Sequence, residues 1–494
     1  MRHAAEEQSR DTTDARVRPS DVLPVFSAGV TAVGVIDMVA ERQVNLGLAK
    51  PQNAGGKNDI TDHVNDRPAT IADQDSEKSS PVESQEPSFP DGGWRAWSVV
   101  AGCGLIYFST FGLYVGQSAV LQEYFTTELL RDKSNSQVAW ITSFQVFLLY
   151  ASGLFTGRLF DAGYCRHMML TSMVLMVLCQ MCVSLCTEYY QLFLALSVGA
   201  GLPMGILFNT TSVIPTQWFF KKRAFVISIV VSSSSAGGVI WPIALSHLIR
   251  DIGFPWTMRF VGFLLMLLFA VAFLLIKTRL PPKGIEKGQN VLLSLLDVQS
   301  FYNPAFVLLV AGVCLAVFGF YIPYQYLSIY ACDKGLPLGS YYVSILNASS
   351  TIGRIGPGLL ADRYGRLNVL VPFVALTALM VLIMSACTTH TSLVVYCIFF
   401  GICGGSFIGL WISSAAQFGP THSIGARLGT IMFIVAFPAV VGTPIAGAIL
   451  GDGQQLPYRW WPMTAYGGGL GFIGAGLIAL ARWKASKQAK SWLV

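Results

Sequence analysis

From residue 96 onward the chain alternates long apolar runs with short polar breaks. The runs lie near 97–121, 138–156, 168–187, 191–214, 224–247 and 257–276, and again near 304–330, 341–360, 368–388, 392–415, 427–450 and 461–481. Each approaches or exceeds the roughly 20 residues that a helix needs to cross the hydrocarbon of a bilayer. The pattern predicts an all-α polytopic membrane protein with twelve transmembrane helices. A longer polar break after the sixth run divides them into two six-helix halves, 91–276 and 304–481, joined by a central loop over 277–303 in which "VLLSLLDV" is expected as a short interfacial helix.

The first 90 residues behave differently. Of 27 acidic residues, 16 lie at or before Asp91 and 11 in the 403 that follow. The early segment is polar, acid-rich and aperiodic, so it is expected to be a disordered tail. Its one apolar patch, Val22 to Ile36, is short and interrupted by Pro24, which argues against a span. The acids Glu6, Glu7, Asp11, Asp14 and Asp21 ahead of it argue against a secretory signal. Composition agrees with the hydropathy pattern: 53% of residues are hydrophobic, 12% are charged, and the mean hydropathy is +0.55. Cys179, Cys182 and Cys186 superficially suggest a metal site, but they lie in an apolar helix where cysteine packs as a small hydrophobe. The chain offers no G-x-x-x-x-G-K-[ST] string for nucleotide-driven pumping and no clustered acid, base and nucleophile for an enzyme. Neither cofactor nor metal is expected, and no nucleic-acid partner; the bilayer and a small organic solute are.

Positive charge orients the spans. The breaks on one side hold sixteen Lys and Arg, among them Arg158, Arg166, Lys221, Lys222, Arg363, Arg366 and Arg427, and the breaks on the other side hold six. The positive-inside rule then places both termini, including the short tail 482–494, in the cytosol. Two of these breaks echo each other. Gly157-Arg-Leu-Phe-Asp161 and Gly358-Leu-Leu-Ala-Asp362 share a G-x-L-x-D pattern 201 residues apart, each following the second span of its half. The chain reads as a six-helix unit repeated.

Twelve spans in two halves with this loop resemble the major facilitator superfamily of secondary transporters; "GLLADRYGRLN" matches its signature loop, while the first copy has Ala162 where arginine is usual. The resemblance implies a cytosolic conformational latch at Gly157, Asp161, Arg166, Gly358, Asp362, Arg363, Gly365 and Arg366, with each aspartate facing a helix N-terminus and nearby cations. "PDGGWRAWSVVAG" at Pro90 to Gly102, "WFFKKRAFVISIVVSSSSAGGVIWP" at Trp218 to Pro242 and "IGRIGPGLLADRYGR" are similar to the monocarboxylate-porter branch, fungal members especially. In the first string, Asp91, Gly92 and Gly93 are also expected to cap a helix, with Trp94 and Trp97 as headgroup anchors.

Every acidic residue after Asp91 falls at a span end or in a break, and so do the histidines. Arg354 is the one cation deep in an expected span. A charge there costs about 2.5–3.5 kcal/mol on translocon-insertion scales, so it should face a wet cavity and serve a purpose. Its fork of donors suits a carboxylate or other planar anion, although a packing arginine paired with carbonyls would sit there too. The resemblance agrees with the first reading, since Arg354 matches the porters' substrate-binding arginine of the eighth span. It also exposes departures: Ser350 stands where the porters carry aspartate, and no Lys or Arg lies between Ala96 and Gln122, so lactate-type proton symport is not carried over. Further candidates for the lining are Asn209, Asn347, Tyr107, Tyr114, Tyr324, Tyr326 and Trp411, each of which packing or an interhelical hydrogen bond would equally explain. The expected function is alternating-access transport of a small anionic or weakly acidic metabolite, such as efflux of a fungal secondary metabolite, across the plasma membrane or an endomembrane. The alternatives are uptake of a monocarboxylate or vitamin-like solute, and a non-transporting sensor on the same scaffold.

The charge asymmetry makes one prediction directly. Tags at both ends of the chain should be protected in sealed right-side-out vesicles and digested in inverted ones; ends on opposite faces would remove the twelve-span topology.

Overall fold

The computed structural model describes residues 91–219, 223–279, 297–419, 424–451 and 457–493. The tail 1–90 and residues 291–296 of the expected interfacial helix lie outside the described residues. Among the described residues the structure is helical, without strands. We label the helices α1 (Trp94–Leu129), α2 (Asn135–Gly157), α3 (Cys165–Val183), α4 (Tyr189–Gln217), α5 and α6 (residues 223–252 and 254–275 of the stretch Arg223–Leu275), α7 (Pro304–Asp333), α8 (Tyr341–Tyr364), α9 (Arg366–Ala386), α10 (His390–Ala416), α11 (Ile424–Leu450) and α12 (Trp460–Ala489). Ten segments are long and apolar enough to cross a membrane, with Phe225–Leu275 counted as one and α8 left out. Gly253 divides that long segment: its φ of 78° is a left-handed conformation that an L side chain would strain. α8 falls short because it carries Ser344, Asn347, Ser349, Ser350, Arg354 and Asp362.

Local signals set the helix ends. Ser134 and Gln137 form a reciprocal capping box at the start of α2, and Thr389 and Ser392 form another at α10. The start of α1 departs from expectation: the cap is Gly93, with no side-chain capping bond. Asp91 instead takes φ 48° and donates its backbone N–H to Trp218 O at 3.3 Å, tying the head of α1 to the end of α4. Trp94, 85% exposed, and Trp97 beside Phe219 fit the expected anchors. We call the face bearing Gly93, Arg166 and Arg366 the basic face, and the face bearing the α1–α2 loop the distal face.

Small residues let the helices approach closely. Gly312 meets Gly474 and Gly319 meets Gly467 along α7 and α12. Gly401 and Gly405 of α10 lie against Leu346, Ser349 and Ser350 of α8, whereas Gly409 has open space around it. All ten cysteines are free, and the described residues hold no acid, histidine and cysteine cluster fit for a metal.

One charged pair corrects the picture of a single deep cation. Arg427, assigned above to a polar break, is 0% exposed in α11. Its Nε lies 3.2 Å from Asp297 Oδ2 and 2.9 Å from Ser300 Oγ, and its Nη1 donates to Ala416 O at 3.0 Å. Asp297 also accepts from Ser300 Oγ at 2.6 Å, and its own N–H donates to Thr430 Oγ1 at 2.9 Å. The pair fastens the chain leading into α7 to the basic-face ends of α10 and α11. Asp297→Ala removes the described carboxylate partner of a buried guanidinium, so it should cost about 3–5 kcal/mol. Thermal unfolding of the purified protein should show that loss, with much of it recovered in Asp297→Leu combined with Arg427→Met; an unchanged Tm in Asp297→Ala would refute it.

Candidate functional site

The centre of the molecule is built where α1 and α5 meet α7 and α8. α1 is not a plain α-helix: Phe108–Gly112 forms a π-helical turn between Tyr107 and Tyr114. Such a turn widens the helix and redirects the side chains around it. Gly112 and Gly237 lie in contact beside it, so close that a Cβ on Gly237 would come 2.7 Å from Phe108 O. That approach brings the α5 residues Val231 and Ser234 next to the π turn and opposite α8.

Arg354 spans the gap from α8. Its Nη1 donates to Val231 O at 2.8 Å and to Ser234 Oγ, and its guanidinium carbon lies 5.9 Å from the centre of the Phe111 ring. The phenols of Tyr107, Tyr150, Tyr321 and Tyr324 lie within electrostatic reach of it. Tyr150 and Tyr321 share a 2.6 Å hydrogen bond between α2 and α7, and Tyr107 pairs with Ser212 Oγ at 2.6 Å. Tyr114 meets the edge of Tyr321, and Tyr324 packs among Phe320 and Phe400. The result is one guanidinium in an aromatic, hydroxyl-bearing surround. Chemically it can attract a single negative charge and offer flat apolar faces beside it.

Tyr107 and Tyr324 therefore lie near Arg354, and Tyr114 reaches the group through Phe111 and Tyr321. The other expected lining residues have the following surroundings. Asn209 donates to Leu149 O at 3.1 Å and to Ser152 Oγ at 3.3 Å, holding α4 to α2. Asn347 donates to Val343 O of its own helix and packs on Gly238 of α5. Tyr326 lies nearer the distal face, donating to Thr443 O at 2.9 Å. Trp411 is buried in α10, one turn beyond Phe407, which packs on Phe320. Phe111, Tyr150 and Tyr321 were not singled out from the sequence. Their strings "STFGLY", "FLLYASG" and "GFYIPY" are indistinguishable from core until the helices assemble, although Tyr321 neighbours two residues that were chosen.

The halves of the bundle are sealed above this centre. Gln325 Nε2 bridges Gln122 Oε1 at 2.7 Å and Thr142 Oγ1 at 2.6 Å. Asn135 Nδ2 donates to Gly451 O at 2.7 Å, Ser136 Oγ to Pro444 O at 2.8 Å, and Ser143 pairs with Thr443. Along α5 and α8 a ladder runs from His247 and Tyr341 through Val239 and Ser344, then Ser235 and Ser350, down to Arg354. Among the described residues, these hydrogen bonds between α1–α6 and α7–α12 lie from the level of Arg354 and Tyr150 up to the distal face.

The expected latch is described only in part, since the side chains of Asp161 and Asp362 lie outside the described residues. Gly157 and Gly358 have open space around them, Arg166 lies over the Phe273 ring of α6, and Arg363 lies over Tyr364. Gly365 turns the chain with φ 92°, and Arg366 donates to Ser413 O at 3.0 Å, joining α9 to α10.

Comparison with known proteins follows the same line. A family model described as Major Facilitator Superfamily matches residues 99–443. The chain is 32% identical over 411 residues to the protein named MFS transporter asaE of Aspergillus flavus, covering 83% of this chain and 91% of that one. It is 35% identical over 408 residues to the aspyridones efflux protein apdF of Emericella nidulans, covering 81% and 82%. In fold it resembles the nucleoside transporter NupG, with a TM-score of 0.64 at 14% identity over 78% of this chain and 99% of that one. It also resembles the peptide transporter POT in complex with alafosfalin, with a TM-score of 0.62 at 14% identity over 82% and 98%.

The distal seal yields a prediction. Gln325→Leu leaves Gln122 Oε1 and Thr142 Oγ1 short of a buried donor, which costs about 1–3 kcal/mol in the closed arrangement alone. A cysteine at Ser118, a buried α1 residue whose hydroxyl donates to Tyr324 O of α7 at 3.2 Å, with Cys182 and Cys332 replaced by serine, should then react faster with an impermeant thiol reagent; equal rates with and without the Gln325 change would count against the seal.

Proposed function

The chain belongs to the major facilitator superfamily, and from that premise we propose that it exports a small organic anion or weak acid by alternating access. The protein is an integral, multi-pass membrane transporter. In this reading it crosses the bilayer twelve times: the ten apolar segments, with the long one divided at Gly253, together with α8. α1–α6 and α7–α12 act as two halves that rock about the central site, and the basic face is cytosolic. The breaks at Gly157–Arg166 and Gly358–Arg366 act as the latch on that face. The structure is then sealed toward the far side, with its site related to the cytosol, which is the starting point for export.

The observation that carries the reading is Arg354 between the halves, a charge whose only described hydrogen-bond partners are the Val231 carbonyl and the Ser234 hydroxyl of the opposite half. These are neutral acceptors, and an anion would satisfy the guanidinium better. Binding would draw Arg354 from α5 and loosen the lowest rung of the α5–α8 ladder, coupling occupancy to rearrangement. The direction of transport is supported by relatives named for efflux, including the aspyridones protein above and the fujikurins efflux protein of Gibberella fujikuroi. Uptake of a simple monocarboxylate fits less well, because Ser350 hydrogen-bonds Asn347 O and Ser235 where a proton-carrying aspartate would stand. The plasma membrane is the proposed location.

Metabolite profiles of deletion and overexpression cells, collected without preselecting a compound, should show an acidic metabolite accumulating inside the deletion strain. With that compound in proteoliposomes, Arg354→Lys should weaken apparent affinity about tenfold through loss of the bidentate fork, and Arg354→Ala should abolish transport while leaving insertion intact. Unchanged affinity in Arg354→Ala, or a cationic substrate, would end the proposal.

A further inference from the structure

Away from the central site, the distal ends of α7 and α9 and the head of α12 border an open depression of about 600 Å³. That size lies within the roughly 300–1,000 Å³ of small-molecule sites. Its lining includes Lys334 just past α7, Thr388 just past α9, Tyr458 and Arg459 ahead of α12, and Trp460 and Trp461 in its first turn.

The walls are fixed by bonds among the three helices. Asp333 Oδ2 accepts from Trp460 Nε1 at 2.8 Å and from Lys334 Nζ at 3.0 Å, joining the end of α7 to the head of α12. Tyr330, one turn earlier in α7, donates its hydroxyl toward Ser385 O at 3.2 Å and Cys387 O at 3.1 Å, and its ring meets Trp460 edge-on. A ligand entering here would find its binding groups already in place.

The charge of these groups does not cancel. Asp333 is balanced by Lys334, while the Arg459 guanidinium has no acceptor among the described residues, so the described lining is left with one net positive charge. Lys334 also keeps donors beyond the one that its carboxylate takes. A guanidinium beside an ammonium suits an anion with several oxygens, above all phosphate, which accepts two parallel N–H bonds from arginine.

The surroundings favour a phosphate carried on a lipid. Trp461 is 65% exposed at a span end, the position where tryptophan sits at headgroup depth. The outer face of α9 leading to the depression exposes Leu376, Leu379 and Ile383 along one stripe, an apolar surface on which an acyl chain can lie. A phosphodiester carries a single negative charge, which matches the net charge of the lining.

We propose that this depression binds the phosphate of a phospholipid of the distal leaflet, with Arg459 as the principal anion-binding group, Lys334 as a second donor and Trp461 against the lipid backbone. The proposal requires only that the chain spans a bilayer. It depends neither on the substrate nor on the direction of transport.

The test is native mass spectrometry of the purified full chain in detergent, titrated with dioleoylphosphatidylglycerol and separately with dioleoylglycerol, which has the same acyl chains and no phosphate. The wild type should hold one phosphatidylglycerol molecule about tenfold more tightly than dioleoylglycerol, the scale of one hydrogen bond to a charged group. Arg459→Gln should remove that preference and Arg459→Lys should keep part of it. Both should unfold at the wild-type Tm, because the Arg459 side chain is exposed and makes no described bond. Arg131→Gln, at an exposed distal arginine outside the depression, should bind like the wild type. Equal retention of the two lipids would show apolar adhesion alone, and an equal loss in Arg131→Gln would show diffuse attraction to the distal face. Displacement of the lipid by equimolar inorganic phosphate would show a site for a free anion. Each of these three results would overturn the proposal.

Discussion

A guanidinium at mid-membrane depth has to be satisfied, and much of the arrangement around Arg354 follows from that requirement. Few groups in a bundle can do it without a counter-charge. Here the acceptors are a main-chain carbonyl and a serine hydroxyl of α5, and they are within reach only because α5 lies tight against α1. The contact of Gly112 with Gly237 permits that approach, and the π turn at Phe108–Gly112 turns Phe111 toward the charge. Backbone irregularity, small residues and the arginine are one solution to one electrostatic problem.

The same logic separates the two buried arginines. Arg427 has a carboxylate partner, a serine and a carbonyl, and is completely enclosed. Its charge is compensated within the C-terminal bundle, so it serves as a fixed joint near the basic face. Arg354 has neutral partners contributed by the other bundle, which makes it able to exchange them. A compensated charge makes a fastening; a charge held by neutral acceptors across an interface is what the proposed binding role of Arg354 rests on. The aromatic surround adds apolar surface for the body of a ligand without adding a second charge that would compete for its anionic part.

Closure of the distal side is likewise a matter of which groups are used. Amides and hydroxyls give hydrogen bonds that are worth about 1 kcal/mol each and are costly when left unmade in the interior. A seal of many such bonds is cooperative in geometry yet weak enough to exchange during a cycle. At its rim the His247 imidazole of α5 meets the Tyr341 hydroxyl of α8 at 2.7 Å.

The sequence by itself determined the membrane-spanning class and pointed to a doubled organisation and to Arg354, because each rests on a property that survives without neighbours. Hydropathy run by run reports the bilayer, the G-x-L-x-D echo reports a repeat, and a lone charge in an apolar run is costly wherever that run packs. Tertiary structure decided which polar and aromatic residues share the arginine's surroundings. Tyr150 and Tyr321, 171 positions apart, meet only when α2 and α7 pack, while Asn209 is drawn into a joint between α4 and α2 and Tyr326 into the distal seal. Arg427 shows the limit most plainly. From the sequence it is a topology-setting charge at a span end, and only the folding of Asp297 and Ser300 against α11 makes it a buried ion pair. Helical periodicity says which side of a helix is apolar, but partner identity is fixed by contacts between segments far apart in the chain, and local pattern carries no record of those.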